Sequence, residues 1–282
     1  MAQSRAELKL LTLNTHSWQE KDNEYCLRET VRAVLADRPD VIALQEVNQR
    51  RQGQAIAAEV LKASGFVPGG YEIVTDNWAL ELALRLAQEG QPYHWTWAFA
   101  HNGYPTCAEG VALMSLKPIE EVRCAGLSLP EVERDKNWRN RRALAIRTED
   151  GWFCSTHTGW WEDEEDPFRY QWEKMNAFAR SLGSPCWMMG DFNSPAHLRD
   201  QGYDLMIASG WHDCFSRAEE KDSGVTVPQQ IDGWRDQPVE AFRLDLCLAD
   251  RPGRTLRSRV IFNGSFHPVV SDHFGVLTVE SV

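Results

Sequence analysis

Short apolar runs alternate with stretches of helical period along the first third of the chain. "LKLLTLNTH" (8–16) reads as a buried strand that ends near Asn14. In 22–37 the apolar residues Leu27, Val31, Val34 and Leu35 recur at helical spacing, and Pro39 stops that helix. "DVIALQEVNQ" (40–49) is a second strand run, ending in Gln45-Glu46. Residues 49–63 are expected to be helical through Ile56, Val60 and Leu61, closed by Gly65. The order strand, helix, strand, helix favours helices packed on sheets. Residues 77–89 predict a further helix.

The middle of the chain is richer in strands. "YHWTWAFA" (93–100) alternates and "EGVALMS" (109–115) is apolar. "RRALAIRT" (141–148) and "GWFCSTHTG" (151–159) predict strands joined by a tight turn around Glu149-Asp150-Gly151. Residues 167–182 carry Phe168, Trp172, Met175, Phe178, Ala179 and Leu182 on one helical face. The run Cys186 to Asn193 ("CWMMGDFN") is the next strand; "FRLDLCLAD" (242–250) and "DHFGVLTVE" (272–280) are the last clear ones. The acidic run Glu162 to Asp166 is expected to be a solvated loop. No repeat, low-complexity tract or long linker interrupts the chain, so one domain over 1–282 is predicted.

Polar residues gather where these runs begin or end. Asn14 and Glu46 end strands, Glu109 begins one, and His157 ends one. Asp191 and Asn193 follow a strand, Asp245 interrupts an apolar run, and Asp272-His273 open the last strand. Each alone has a structural explanation as a turn residue, cap or ion-pair partner. Together they occupy the ends of strands, where α/β proteins bind ligands.

Charge and cysteines narrow the classes. The formal net charge is −11, which disfavours broad binding to a nucleic-acid backbone, although a local basic cleft stays compatible with it. The seven Cys form no CxxC pair and read as reduced thiols of a cytoplasmic protein. Met1 to Glu7 has no apolar core of a secretory leader, and no apolar stretch reaches the length of a membrane span. The oxygen-rich set of Glu, Asp and Asn suits a hard cation such as Mg²⁺. There is no HExxH, Cys/His cluster, GxSxG, P-loop or GxGxxG, which argues against zinc, serine-hydrolase, ATP and dinucleotide chemistry.

The ordered strings "TLNTH", "LQEVNQ", "EGVALMS", "STHTGWW", "GDFNSP", "RLDLCL" and "SDHFGV" resemble the endonuclease/exonuclease/phosphatase superfamily over Leu8 to Val279. The resemblance implies a four-layered α/β sandwich: two mixed sheets face to face with helices outside. It also implies a hydrolase of phosphate esters that uses Mg²⁺ or Mn²⁺ and in-line attack by water. Glu46 resembles the metal ligand, with Asn14 beside the metal or phosphate and Asp272 a second metal-side carboxylate. Asp191 resembles the residue that orients or deprotonates water, and Asn193 holds it and the phosphate. His157 and His273 would contact phosphate oxygens, Asp245 would pair with His273, and Glu109 with His157. Leu246 stands where family members often carry an aromatic residue. Arg141 and Arg142 are adjacent on an expected strand, so only one can face the site; Arg142 is counted with the supporting residues.

The flanks "LTLNTHSW", "ALQEVNQ", "KNWRNRRALAI", "THTGWW" and "IDGWRD" resemble the bacterial branch that includes maltose 6′-phosphate phosphatase. This implies a small sugar phosphate as substrate. Trp160, Trp161 and Trp234, each near carboxylates, are candidate sugar-ring contacts. Residues 77–105 and 217–240 are placed as walls or lids. A metal-dependent phosphodiesterase or nuclease of the exonuclease III type, and a binding module without catalysis, are the alternatives. Nothing indicates a membrane partner or an oligomeric state.

Overall fold

The structure, a computed structural model, describes residues 7–134, 136–228, 231, 234 and 241–282. In chain order it contains β1 (Glu7–Asn14), α1 (Asn23–Asp37), β2 (Val41–Arg50), α2 (Ala58–Ala63), α3 (Trp78–Gln88), β3 (His94–His101), β4 (Cys107–Ser115), β5 (Glu121–Gly126), β6 (Arg142–Thr148), β7 (Gly151–His157) and α4 (Phe168–Leu182). There follow β8 (Cys186–Asp191), α5 (Gly202–Ala208), the short β9 (His212–Asp213), α6 (Cys214–Arg217) and β10 (Glu220–Lys221), then β11 (Asp245–Ala249), β12 (Arg254–Ile261) and β13 (Gly275–Ser281). One sheet has seven strands in the order β10-β12-β13-β1-β2-β4-β3, the other six in the order β5-β6-β7-β8-β11-β9. Both are mixed: β1 runs parallel to β2 but antiparallel to β13, and β7 runs parallel to β8 but antiparallel to β6.

Strand alternation explains the layers. Leu8, Leu10, Val41, Ala43, Val111 and Leu113 of the first sheet meet Leu144, Ile146, Phe153, Trp187, Met189 and Cys247 of the second in one buried cluster. The opposite faces pack on helices: Leu11, Leu13, Ile42 and Leu44 against α1 and α3, and Cys154, Cys186 and Met188 against α4. This is the four-layered sandwich expected from the sequence.

Local chemistry starts the helices. The Asp22 carboxylate accepts from the Tyr25 N–H at 2.9 Å, and Asn77 Oδ1 accepts from the Ala79 and Leu80 N–H groups. Along α4, Phe168, Trp172, Met175, Ala179 and Leu182 are buried, as their spacing predicts.

Four expectations need correction. The helix placed at 49–63 is confined to Ala58–Ala63, because β2 continues through Gln49 and Arg50, paired with Ala108 and Cys107. The last strand begins at Gly275, so Asp272 and His273 lie in the loop before it. The acidic run is only partly solvated: Asp166 is fully buried, accepting from the Leu129 N–H at 2.9 Å and from Gln171 Nε2 at 2.7 Å. Strands β5 and β12 escaped notice because β5 is half-exposed throughout and β12 buries Thr255 and Ser258 where apolar residues are expected.

Gly190 shows how tightly β8 approaches β7. A Cβ there would lie 2.0 Å from the Thr156 carbonyl oxygen, on backbone with φ of 154°. Gly190→Ala is expected to destabilise the fold by about 3 kcal/mol, the upper end of overpacking costs. A denaturant midpoint equal to that of the parent would refute this.

Candidate active site

The inward-facing row of each central strand is apolar in the middle of the sandwich and turns polar at one end. On β1 the row Leu8, Leu10, Thr12 ends in Asn14; on β7 Phe153 and Ser155 lead to His157; on β8 Trp187 and Met189 lead to Asp191. On β2 a bulge lies between Leu44 and Val47, and Glu46 sits within it at φ 52°. Without the extra residue Glu46 would share the helix-facing side with Ile42 and Leu44. The bulge instead lets its carboxylate reach Asn14 Nδ2, 2.9 Å from Oε1.

Asp191 is the hub. Its Oδ2 accepts from Asn14 Nδ2 at 3.1 Å and lies 3.5 Å from His157 Nε2 and 3.7 Å from His273 Nε2. Its Oδ1 accepts from the Asn193 N–H at 2.9 Å, across a turn in which Asn193 takes φ 43°. Asp245, paired with Asp191 in the strand register, holds His273 Nδ1 at 2.9 Å. Ser271 ties this loop to β1 through the Asn14 carbonyl at 2.8 Å. These groups border a cavity of about 570 Å³ that His16, Glu46, Glu109, Arg141, His157, Asp191, Asn193, Asp272 and His273 line on the polar side.

Burial and like charge set the protonation of this cluster. Burial, then the neighbouring Glu109 and Asp272, pushes the Glu46 carboxyl up to about 7. Burial raises Asp191 to about 7, with Asp245 adding to it and His273 opposing it. Burial works against charge on His273, yet Asp245 and Asp191 hold it well above the ordinary histidine range. His16 is likewise opposed by burial but raised to about 9 by Glu20, Asp272 and Glu46. His157 moves the other way: burial and then Arg141 keep it neutral. Both its ring nitrogens face donors, Arg141 Nη1 at 3.2 Å from Nδ1 and Asn193 Nδ2 at 3.1 Å from Nε2. A neutral imidazole accepts only once, and the guanidinium is the stronger donor, which leaves the proton on Nε2 beside Asp191.

Four sequence-based placements change. Arg142 keeps the side of β6 that carries Leu144 and Ile146, but its guanidinium turns to Glu133 at 3.6 Å and it does not line the cavity; Arg141, one residue before the strand, does. Glu109 faces His101 Nε2 at 3.3 Å rather than His157. Trp161 packs on Phe168, with ring centroids 6.2 Å apart, and Arg169 lies over its ring. Trp160 lines the cavity as expected. Trp234 stands behind it, donating from Nε1 to Asn193 Oδ1 at 3.0 Å and packing on Phe242. Sequence reasoning missed His16, His101 and Trp138. The string "TLNTH" and the flank "KNWRNRR" contain two of them, but nothing in their spacing marks them as cavity residues. Of the two segments placed as walls, the β3–β4 turn does line the cavity with Asn102, Gly103, Tyr104 and Pro105, while α3 packs in the helical layer. Most of 229–240 lies outside the described residues; Ile231 lines the cavity.

A two-sheet sandwich with buried carboxylates, amides and imidazoles at one end of its strands is an arrangement suited to phosphate-ester hydrolysis. The family model described as "Endonuclease/Exonuclease/phosphatase family" matches residues 11–273, and the chain belongs to that family, whose members are metal-dependent phosphoester hydrolases. A solved family protein from Leptotrichia buccalis is 27% identical, with a TM-score of 0.84 over 98% of this chain and 100% of that one. A mannosyl-6-phosphatase from Bacteroides thetaiotaomicron is 15% identical, with a TM-score of 0.61 over 96% of this chain and 98% of that one. A 3′ phosphatase from Neisseria, bound to a product DNA hairpin, is 18% identical, with a TM-score of 0.59 over 96% of this chain and 98% of that one. The latter two share the fold. No curated protein matches the chain in sequence.

The donor set fits a divalent cation. Half-buried Glu46 sits near Glu109 and Asp272, which repel its charge, and all three share the cavity. Such a crowding of carboxylate donors is what Mg²⁺ or Mn²⁺ neutralises. Two His-carboxylate groups are compact enough to hold an ion, His16-Glu20-Asp272 and Asp191-Asp245-His273. In each the histidine already pairs with a carboxylate, His16 Nδ1 with Glu20 and His273 Nδ1 with Asp245, both at 2.9 Å.

The pKa directions give a sign. Glu46 and Asp191, raised to about 7, bind protons in the folded state that the unfolded carboxyls have lost, so their contribution falls as pH rises toward 8. His16 holds its stabilising proton until pH passes about 9, so its contribution falls in the same direction. His157, depressed by burial, acts only below the ordinary histidine value. The melting temperature in EDTA is therefore expected to fall from pH 6.5 to 9, and excess Mg²⁺ or Mn²⁺ to restore most at the alkaline end. A flat profile, or equal metal effects at both ends, would contradict this charge arrangement.

Proposed function

We infer that the chain is a phosphomonoesterase acting on a small sugar phosphate, of the maltose 6′-phosphate kind, with the whole of 1–282 as one catalytic domain. The observation that carries this reading is the shape of the cavity beyond the phosphate-facing groups. Its volume of about 570 Å³ is that of a small-molecule site, and its outer wall is Trp138 packed edge-on to Trp160 with ring centroids 5.8 Å apart. Indole faces suit the C–H side of a sugar ring, and the carboxylates and amides nearby suit its hydroxyls. The net charge of −11 works against a long polyanion. A cytoplasmic setting accords with seven cysteines that form no disulfide, and among the described residues no helix is long and apolar enough to cross a membrane.

The residues divide the chemistry as follows. Asn14, Glu46 and Asp272 would hold Mg²⁺ or Mn²⁺, which when bound neutralises phosphate charge and stabilises the leaving oxygen. Asp191 orients water and takes its proton; its raised pKa suits a base working near neutrality. His157 donates from Nε2 to a phosphoryl oxygen. His273, kept protonated by Asp245, supplies a second donor. Asn193 is locked by Trp234 and the Thr158 carbonyl, so its amide is already aimed when substrate arrives.

Phosphate release from a panel of sugar phosphates, run with Mg²⁺ or Mn²⁺ beside bis-p-nitrophenyl phosphate and plasmid DNA, tests the reading. Strong release from a hexose or disaccharide phosphate with DNA intact is the expected result; efficient cleavage of the diester and DNA would replace it with a nuclease. Asp191→Asn is expected to remain folded and to lose about 10²–10⁴ in kcat. Undiminished turnover would remove Asp191 from the mechanism.

A further inference from the structure

The cavity contains a cation, Arg141, that among the described residues no carboxylate contacts. Arg141 is 4% exposed, yet among the described residues it forms no ion pair with a carboxylate. Its neighbours in sequence do: Arg139 pairs with Asp163 at 2.7 Å and Arg142 with Glu133 at 3.6 Å. Of the Arg141 donors, Nη1 reaches the neutral His157 ring at 3.2 Å, and Nε is buried with no hydrogen-bond partner. The guanidinium carbon lies 5.7 Å from the Trp160 ring centroid. The backbone is fixed on both sides, its N–H donated to Ser128 Oγ at 2.9 Å and its carbonyl accepting from the Leu127 N–H at 3.0 Å.

Glu109, Glu46 and Asp191 act on this guanidinium only from a distance, and a buried cation with an unmatched donor and no carboxylate in contact is costly and persists where something outside the fold completes it. Here the missing partner must enter the cavity that Arg141 lines with His157, Asp191 and His273. It must be an anion, and the planar guanidinium matches phosphate oxygens. We propose, on the reading given above, that Arg141 binds the non-bridging oxygens of the substrate phosphoryl group and makes the site selective for a phosphomonoester dianion over a phosphodiester. A monoester is largely a dianion at neutral pH because its second pKa is about 6, whereas a diester carries a single charge. The additional buried positive charge therefore favours the monoester and grips the third terminal oxygen, which in a diester carries the second ester chain. Through His157 Nδ1 the same guanidinium also keeps the imidazole proton on Nε2, facing the phosphate.

The test compares Arg141→Met and Arg141→Lys with the parent on p-nitrophenyl phosphate and bis-p-nitrophenyl phosphate, with inhibition by inorganic phosphate and thermal melting measured alongside. Arg141→Met is expected to lose about 10²–10³ in kcat/KM on the monoester, the usual effect of removing one preorganised phosphate donor, and less than about 10-fold on the diester. Inhibition by inorganic phosphate should weaken at least about 10-fold, and Arg141→Lys should recover part of both. The melting temperature of Arg141→Met should hold or rise, since an apolar side chain replaces an unpaired buried charge. Equal losses on the two esters, unchanged phosphate inhibition, or loss of the melting transition in both variants would overturn the assignment. A parent enzyme that prefers the diester would instead overturn the phosphomonoesterase reading, so the two failures are distinguishable.

Discussion

Face-to-face packing of two sheets imposes one constraint on which everything else rests. Each central strand must present an apolar residue at every second position to fill the space between the sheets, as Leu8-Leu10, Val41-Ala43, Val111-Leu113 and Trp187-Met189 do. At one end of the sandwich that rule lapses, and the next inward positions become Asn14, Gln45, Glu109, His157 and Asp191. The polar end is tied together across the sheets. Gln45 Nε2 reaches Ser155 Oγ at 3.0 Å, Ser155 Oγ reaches the Leu44 carbonyl at 3.0 Å, and Asn14 bridges Glu46 and Asp191. The apolar rows thus position the polar ones. A site assembled from strands of both sheets inherits the rigidity of the core between them.

The arrangement stores unfavourable energy locally. Three residues at the cavity adopt left-handed backbone: His16 at φ 46°, Glu46 at φ 52° and Asn193 at φ 43°. Such conformations cost about 1–3 kcal/mol each and persist only where surrounding structure determines them. The determining contacts are visible: the Asn193 amide is held by Trp234 and the Thr158 carbonyl, and the Glu46 bulge is flanked by ladder pairs on both sides. Crowded carboxylates and an unpaired guanidinium add to the cost. A bound cation would offset the crowded carboxylates and a phosphoryl group would meet the guanidinium, so the charge arrangement suits those two partners.

Much of this was legible in the chain because strand alternation is a local rule. Asn14, His157 and Asp191 could be placed from the apolar residues two and four positions away. "GDFN" could be placed because the apolar run Cys186 to Met189 ends in Gly190 and turn-forming Asp191 and Asn193; the structure adds that a Cβ at Gly190 would meet the Thr156 carbonyl. What escaped depends on geometry that spacing does not encode. Glu46 reaches the cavity only through a bulge. Arg141, just outside β6, is directed by Ser128 and Leu127 rather than by the pleat, while Arg142, with the correct parity, is drawn to Glu133. Glu109 meets His101 because a register shift between Phe99 and His101 brings that residue opposite it. Trp160 and Trp161 were equal candidates in sequence. Only the start of α4, which offers Phe168 to Trp161, separates cavity wall from core.

The remaining tension, an acidic protein that must attract a phosphate, resolves by distance. Surface charges are screened over about 8 Å at physiological ionic strength, whereas buried groups in a low-dielectric setting are screened far less. The net charge of −11 therefore governs what can lie along the surface. Inside the cavity the local balance is set by Arg141, Lys136 and protonated His16 and His273 on one side, and by Glu46 and Asp272, which would hold a cation, on the other. A long polyanion meets the first field along its whole length. A single terminal phosphate on a small neutral body escapes most of it and experiences mainly the second. The same separation gives the aromatic wall its role: beyond the phosphate, Trp138 and Trp160 would meet a group whose recognition depends on shape and apolar surface rather than charge.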